Sequence, residues 1–437
     1  MKKILTYILT LLAVFTVSCK KETIVECDHK VIVVREHIRA HVMMGFGFNN
    51  LSSAISQDIK DLSQGYVPGN AVDDNYLFVY SHLSNGNYNT KTSPCLERIY
   101  KDTDGNIVKK KLLEFERGTI ACEGERIREV LEFLKQKYPE IESFGVLMSS
   151  HGTGWTPPGY CTTGYKNEGN SDVIEWLGSA FSGTYLSGEY LYEPVPGVKS
   201  MGCTVTDVNP YVAYETDIRE IVQALPFKLD YLIFDACFMG GVEVACEFRD
   251  KCNFVVASQT EILSDGMDYT TMISDLLEGN RADLVSLATN YFNHYDLSSG
   301  YKRSATISVV DCSKLGTLAA VCRNLFRNYD ISKDNVDASK LQKYFKDSAS
   351  NLAWFYDLYS IVQAAGASET ELSDLQWALD ECILYKAATP SFALSDGFPI
   401  DTHSGLSMYL PEKERTQLNS YYRELTWNKL TGLLKNE

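Results

Sequence analysis

Short apolar runs alternate with amphipathic stretches along most of this chain. Residues 144–148 (Phe-Gly-Val-Leu-Met), 231–234 (Tyr-Leu-Ile-Phe) and 254–257 (Phe-Val-Val-Ala) are too short for helices and show no polar face. Such runs mark strands covered on both sides, as in a parallel sheet. Residues 31–34, 40–48, 77–80, 305–310 and 405–411 read as further strands. Between them the apolar positions fall at helical spacing. Leu51, Ile55, Ile59 and Leu62 predict a helix over 52–62; Ile127, Val130, Leu131 and Leu134 predict one over 126–137, with Pro139 just beyond. Thr216 is placed as the cap of a helix through Leu225. Helices are likewise expected over 270–277, 284–295, 315–326, 341–345, 372–385 and 421–434. Asp102-Thr103-Asp104-Gly105-Asn106 signals a hairpin turn. Helix followed by buried strand, repeated, is the rhythm of an α/β fold with a mostly parallel sheet flanked by helices.

The pattern fails in two places. Residues 156–209 are rich in Gly, Ser, Thr, Tyr and Pro, and a long irregular segment inside a domain is usually functional or mobile. The N-terminus is a targeting segment: Lys2 and Lys3, then an apolar stretch from Ile4 to Val17, too short to span a bilayer comfortably. Thr16-Val17-Ser18-Cys19 resembles a bacterial lipobox, with Thr16 where Leu is usual, so Cys19 is the expected lipidation site. The expected organisation is a signal peptide over 1–19, a tether over 20–30, and one domain over 31–437. Its part from about 312 onward reads as helical additions. The address is then the bacterial cell envelope, with a lipid as the membrane anchor.

A net charge of −16 argues against nucleic acid, whose phosphates need a basic surface. Twelve cysteines, less Cys19, leave an odd number, so at least one thiol is unpaired within the chain. No CxxC pair and no Cys/His cluster with zinc spacing occurs. The acidic turn at 102–106 invites calcium, but its glycine falls two places too early for an EF-hand loop. No cofactor is expected.

The candidate chemistry sits at two strand ends. The run 231–234 stops on Asp235-Ala236-Cys237-Phe238-Met239-Gly240-Gly241, and the run 144–148 on Ser149-Ser150-His151-Gly152-Thr153-Gly154-Trp155. Functional groups of open α/β sheets collect just beyond the carboxyl ends of strands. Taken singly, Cys237 and His151 are as readily packed core residues. Together they are a nucleophile and a base on the same strand motif, which is what thiol catalysis requires.

These two motifs resemble those of the clostripain family of cysteine peptidases, which share the caspase and gingipain fold. Weaker likenesses extend over most of residues 40–432. They include Asn49-Asn50-Leu51, Val256-Ala257-Ser258, Ser308-Val309-Val310-Asp311, Phe355-Tyr356-Asp357-Leu358, Gly405-Leu406-Ser407 and Thr426-Trp427. Ser149-Ser150 departs from the Trp-Asp that relatives often carry before the histidine. The resemblance implies a caspase-like sheet and an endopeptidase in which Cys237 attacks the scissile carbonyl and His151 moves the proton. It implies an oxyanion held by the N–H groups of Gly152 and Cys237, where a side chain at Gly152 would crowd the substrate. Cleavage after Arg or Lys implies a carboxylate in the first specificity pocket, with Asp235 and Asp265 as candidates. Relatives often mature by a cut between histidine and cysteine, for which Lys166 and Lys199 are candidates. Calcium dependence, found in some relatives, is not readable in these residues. Peptides or proteins are the expected partners, and a monomer the expected state. The alternative is a surface-anchored pseudopeptidase or binding lipoprotein on the same fold.

Overall fold

A computed structural model describes residues 22–27, 30–35, 37–49, 51–72, 74–85, 92–158, 160, 204–206, 209–346, 354–393 and 397–435. Strands are numbered in chain order. β1 (Glu22–Cys27) and β2 (Lys30–Arg35) form a hairpin within and beyond the expected tether. β3 (Arg39–Gly47), β4 (Tyr76–Leu83), β5 (Cys95–Lys101), β6 (Ile107–Glu114) and β7 (Ser143–Ser149) precede a second hairpin of β8 (Thr204–Thr206) and β9 (Asn209–Tyr214). β10 (Leu229–Asp235), β11 (Cys252–Ala257) and β12 (Thr306–Asp311) follow, then β13 (Tyr356–Asp357), β14 (Ile383–Ala388), β15 (Ser391–Phe392), β16 (Phe398–Pro399) and β17 (Ser407–Met408).

Nine of these strands make one sheet, in the order β14-β12-β11-β10-β7-β3-β4-β5-β6. Its centre, β4-β3-β7-β10-β11, is parallel; both flanks are antiparallel. The central strands are buried almost throughout, as their uninterrupted apolar runs require.

The register of β7 on β10 is fixed by one close approach. Gly145 lies opposite Tyr231, and a Cβ on Gly145 would sit 1.8 Å from the tyrosine ring. Tyr231 in turn bonds His41 Nδ1 through its hydroxyl at 3.0 Å. With that pair locked, Ser149 stands opposite Asp235, and the two candidate motifs leave the sheet side by side.

Several expectations need correction. The cap of the helix Ile218–Ala224 is Asp217, whose carboxylate accepts from the Arg219 amide, while the Thr216 hydroxyl donates to the Cys122 carbonyl. Residues 341–345 are not helical; the Tyr344 amide donates to the Phe355 carbonyl, and this non-local pairing replaces the local one. The helix begun at Glu369 ends at Cys382, and 383–388 become β14 at the sheet edge. The last helical stretch is two helices, Thr416–Arg423 and Thr426–Thr431. The hairpin turn expected at 102–106 is present between β5 and β6, closed by Asp102, whose carboxylate accepts from the Asp104 and Asn106 amides.

Candidate active site

Cys237 lies two residues past the end of β10, and His151 two past the end of β7. Both side chains are buried. The loops carrying them touch through main chain: the Ser150 amide donates to the Asp235 carbonyl at 3.3 Å. A Cβ on Gly152 would sit 2.2 Å from the Cys237 carbonyl oxygen and 2.7 Å from its nitrogen. Glycine is therefore required at 152 by the Cys237 backbone itself, a tighter reason than room for substrate.

After Cys237 the chain turns through Phe238 at φ 60, a left-handed conformation uncommon for a bulky residue. Three contacts hold it there. Its amide donates to the Thr260 carbonyl (2.9 Å), the Gly240 amide donates to the Ser258 carbonyl (2.7 Å), and its ring stacks on Phe355 at 4.8 Å. Buried Gln259 adds hydrogen bonds from Nε2 to the carbonyls of Gly240 and Gly405. The segment after β11 thus clamps the cysteine turn, and it also covers the thiol. The Ile262 amide donates to Cys237 Sγ at 3.2 Å, and Sγ lies 3.8 Å from the Ile262 carbonyl oxygen. Beside Ile262, Glu261 pairs with Lys346 at 3.5 Å, both nearly buried. Ile262 thus meets the sulfur through both its N–H and its carbonyl, and the covering chain restricts approach to it.

Asp235 ends β10 fully buried. Its Oδ2 accepts from the Ser149 hydroxyl (2.8 Å) and from the Tyr269 hydroxyl (2.7 Å). Burial and the neighbouring carboxylate push the Tyr269 phenol well above its ordinary pKa, so it remains a donor. Gly266 faces this carboxylate: a Cβ there would lie 3.0 Å from Oδ2. The Gly266 carbonyl accepts from the Tyr295 hydroxyl at 2.6 Å. Asp265, its sequence neighbour, is half-exposed and paired with Lys302 Nζ at 3.1 Å. The fold brings the two candidate acids to either side of one glycine, Asp235 beneath and Asp265 at the surface. Lys166, Lys199 and Cys19 lie outside the described residues.

Ser149 and Ser150, the departure from the usual motif, have definite work. Ser149 holds Asp235, and the Ser150 hydroxyl donates to the Phe46 carbonyl of β3 at 3.0 Å. Ile262, Gln259, Tyr269 and Phe355 were not identifiable as site residues from sequence. The Ser-Gln-Thr-Glu that follows β11 at a strand end was the one available signal for the first two. Among the described residues, no group of three or more His, Cys, Asp or Glu side chains is placed to hold a metal ion.

This sheet, with its cysteine and histidine turns on neighbouring strands, has the architecture of the caspase-like cysteine peptidases. The sequence profile of the Clostripain family (Peptidase C11) matches residues 208–433, and the chain belongs to that family of cysteine peptidases. The matched part contains Cys237 and begins after His151. An inactive zymogen C11 protease from Parabacteroides distasonis is 25% identical, with a TM-score of 0.68 over 92% of this chain and 99% of that one. A secreted C11 cysteine protease from Bacteroides thetaiotaomicron is 22% identical, with a TM-score of 0.68 over 90% and 99%. A structure of a secreted C11 protease from the same organism with an irreversible peptide inhibitor gives 21% and 0.66, over 90% and 99%. No curated protein matches the chain.

Proposed function

We propose that this cysteine peptidase cleaves peptide bonds after Arg or Lys, with Cys237 as nucleophile and His151 as its acid–base partner. The observation that carries the reading is the contact between the two turns, Gly152 lying directly on the Cys237 backbone. In the reaction, Cys237 Sγ bonds to the scissile carbonyl carbon and its proton passes to His151. The negative oxygen is held by the N–H groups of Gly152 and Cys237. His151 returns the proton to the leaving amine, and water then hydrolyses the thioester. The acids around Gly266 favour a cationic side chain: Asp235 supplies a desolvated carboxylate, Asp265 a second at the mouth.

The thiol is covered by Ile262 in this form of the chain, which accords with an enzyme that needs a step before peptides enter. A cut in the stretch between histidine and cysteine, at Lys166 or Lys199, is the proposed step; the related Parabacteroides protein is described as an inactive zymogen. The proposed address is the cell envelope, with a lipid on Cys19; no described helix is long and apolar enough to cross a membrane.

The test is hydrolysis of fluorogenic peptides ending in Arg or Lys, by wild type beside Cys237→Ala. Turnover by wild type alone supports thiol and specificity together. Turnover that survives in Cys237→Ala removes the nucleophile assignment. Intact mass after incubation shows whether a cut requires Cys237; one uncut chain in both proteins disposes of self-processing.

A further inference from the structure

Glu243 is the second residue of the helix Val242–Phe248, six residues after Cys237, and it is fully buried. A buried carboxyl is costly unless hydrogen bonds compensate it, and an apolar residue there would pack at lower cost. What surrounds this one suggests why an acid is present. Its Oε1 accepts from the Tyr409 amide at 2.8 Å and from the Tyr422 hydroxyl at 2.7 Å. Tyr409 directly follows β17, and Tyr422 lies on the helix Thr416–Arg423. Both tyrosine rings pack on Trp155, with centroids at 5.1 and 4.8 Å, and on each other at 5.0 Å. Trp155 is four residues after His151 and is itself buried.

The other oxygen points back toward the cysteine turn. A Cβ on Gly241 would lie 3.0 Å from Glu243 Oε2 and 3.4 Å from Ser407 Oγ. Neither atom has a hydrogen-bond partner among the described residues. The glycine therefore leaves a carboxyl oxygen and a hydroxyl facing one small space, where the hydroxyl can rotate to donate or to accept. The same serine is tied to the turn by its amide, which donates to the Gly240 carbonyl at 3.0 Å.

We propose that Glu243 is a positioning residue for the Cys237–His151 pair, joining the cysteine helix to the aromatic wall on which the histidine segment rests. The inference rests on the dyad reading above. Glu243 reaches the cysteine turn through its own helix and Ser407, and the histidine segment through Tyr409, Tyr422 and Trp155. Displacing either side by a fraction of an ångström would misalign the proton transfer while leaving substrate contacts in place. The loss then falls on kcat and not on KM.

The experiment uses the full chain, cut if turnover requires it, as wild type, Glu243→Ala, Glu243→Gln, Tyr422→Phe and Cys237→Ala. Each is measured for kcat, KM and thermal unfolding on a fluorogenic peptidyl-arginine. Glu243→Ala is expected to lower kcat about 10- to 100-fold at a KM within about twofold of wild type. Glu243→Gln retains an acceptor for both donors and is expected to recover most of that loss. Tyr422→Phe removes one hydroxyl without changing shape and is expected to lower kcat about three- to tenfold. It carries the test if Glu243→Ala does not fold. Wild-type kcat in Tyr422→Phe, or a kcat loss that only follows the unfolded fraction, overturns the proposal while leaving the dyad in place. Full turnover by Cys237→Ala overturns the dyad reading, and this one with it.

Discussion

The amide of Ile262 donates a hydrogen bond to the sulfur of Cys237, 25 residues away in sequence. The thiol is therefore both polarised and shielded by one peptide unit. The cover is flanked by the neighbouring Glu261–Lys346 pair. Removing one member of a nearly buried pair is strongly destabilising to its surroundings. Lys346→Ala is expected to raise the rate of Cys237 alkylation by iodoacetamide several-fold at pH 7. Peptide mapping of the labelled cysteine reads it, and an unchanged rate would show that the cover is held by something else.

The register lock between Gly145 and Tyr231 should be separable from chemistry. Gly145→Ala places a methyl 1.8 Å from a ring that cannot retreat, because its hydroxyl is engaged with His41. The expected cost is about 3 kcal/mol, the upper end of overpacking. In a Tyr231→Leu background the same substitution should cost much less, since the two positions share one space. Urea unfolding of the four proteins measures the coupling; additive effects would refute the lock.

Around Gly266, the two acids should differ. Asp235→Asn retains an acceptor for Ser149 or Tyr269 but loses the charge, and is expected to abolish cleavage after Arg and Lys with the fold intact by circular dichroism. Asp265→Asn acts at the solvent-exposed mouth and is expected to raise KM only a few-fold, since exposed ion pairs are weak. Lys302→Ala frees Asp265 of its competing cation and should lower KM for basic substrates. Equal activity of Asp235→Asn and wild type on an arginyl peptide would exclude Asp235 as the determinant.

Glu243 should leave a signature in stability against pH. Burial pushes its carboxyl from 4.5 up to about 7, against the opposing pull of the Tyr409 amide and Tyr422 hydroxyl. The nearby Tyr409, Tyr422 and Cys246 groups are pushed up by their own burial, so they stay neutral through that range. For an acid with a raised folded-state pKa, the folded chain holds its proton longer than the unfolded one. The contribution is fully present below about pH 4.5 and is lost as pH rises to about 7. Such a shift amounts to about 3 kcal/mol. Glu243→Gln should therefore gain on wild type by about that amount between pH 4.5 and 7, and no further above it. Parallel urea-unfolding curves of the two proteins across that range would show that the carboxyl ionises as freely in the fold as outside it.

The centre of the sheet was legible because its strands are apolar without interruption, and the helix at 52–62 because its apolar spacing is regular. Cys237 and His151 stood out because each follows such a run. The remainder depends on contacts that local pattern does not carry. The apolar rhythm that makes 372–382 a helix continues without a break into Ile383, and only the empty edge of β12 turns the next six residues into β14. Thr216 and Asp217 are both good caps, and the demand of the Cys122 carbonyl decides between them. The cover at Ile262 and the carboxyl at Glu243 were hidden for the same reason: their partners are 25, 166 and 179 residues distant.

That last separation bears on the order of events in synthesis. Cys237 leaves the ribosome well before Tyr409 and Tyr422, which support the wall behind the histidine segment. During this interval the chain has Cys237 but lacks the tyrosines that bond Glu243 and pack on Trp155. A chain truncated before Tyr409 is therefore expected to be inert even where the sheet has formed, because the partners of Glu243 and Trp155 are missing.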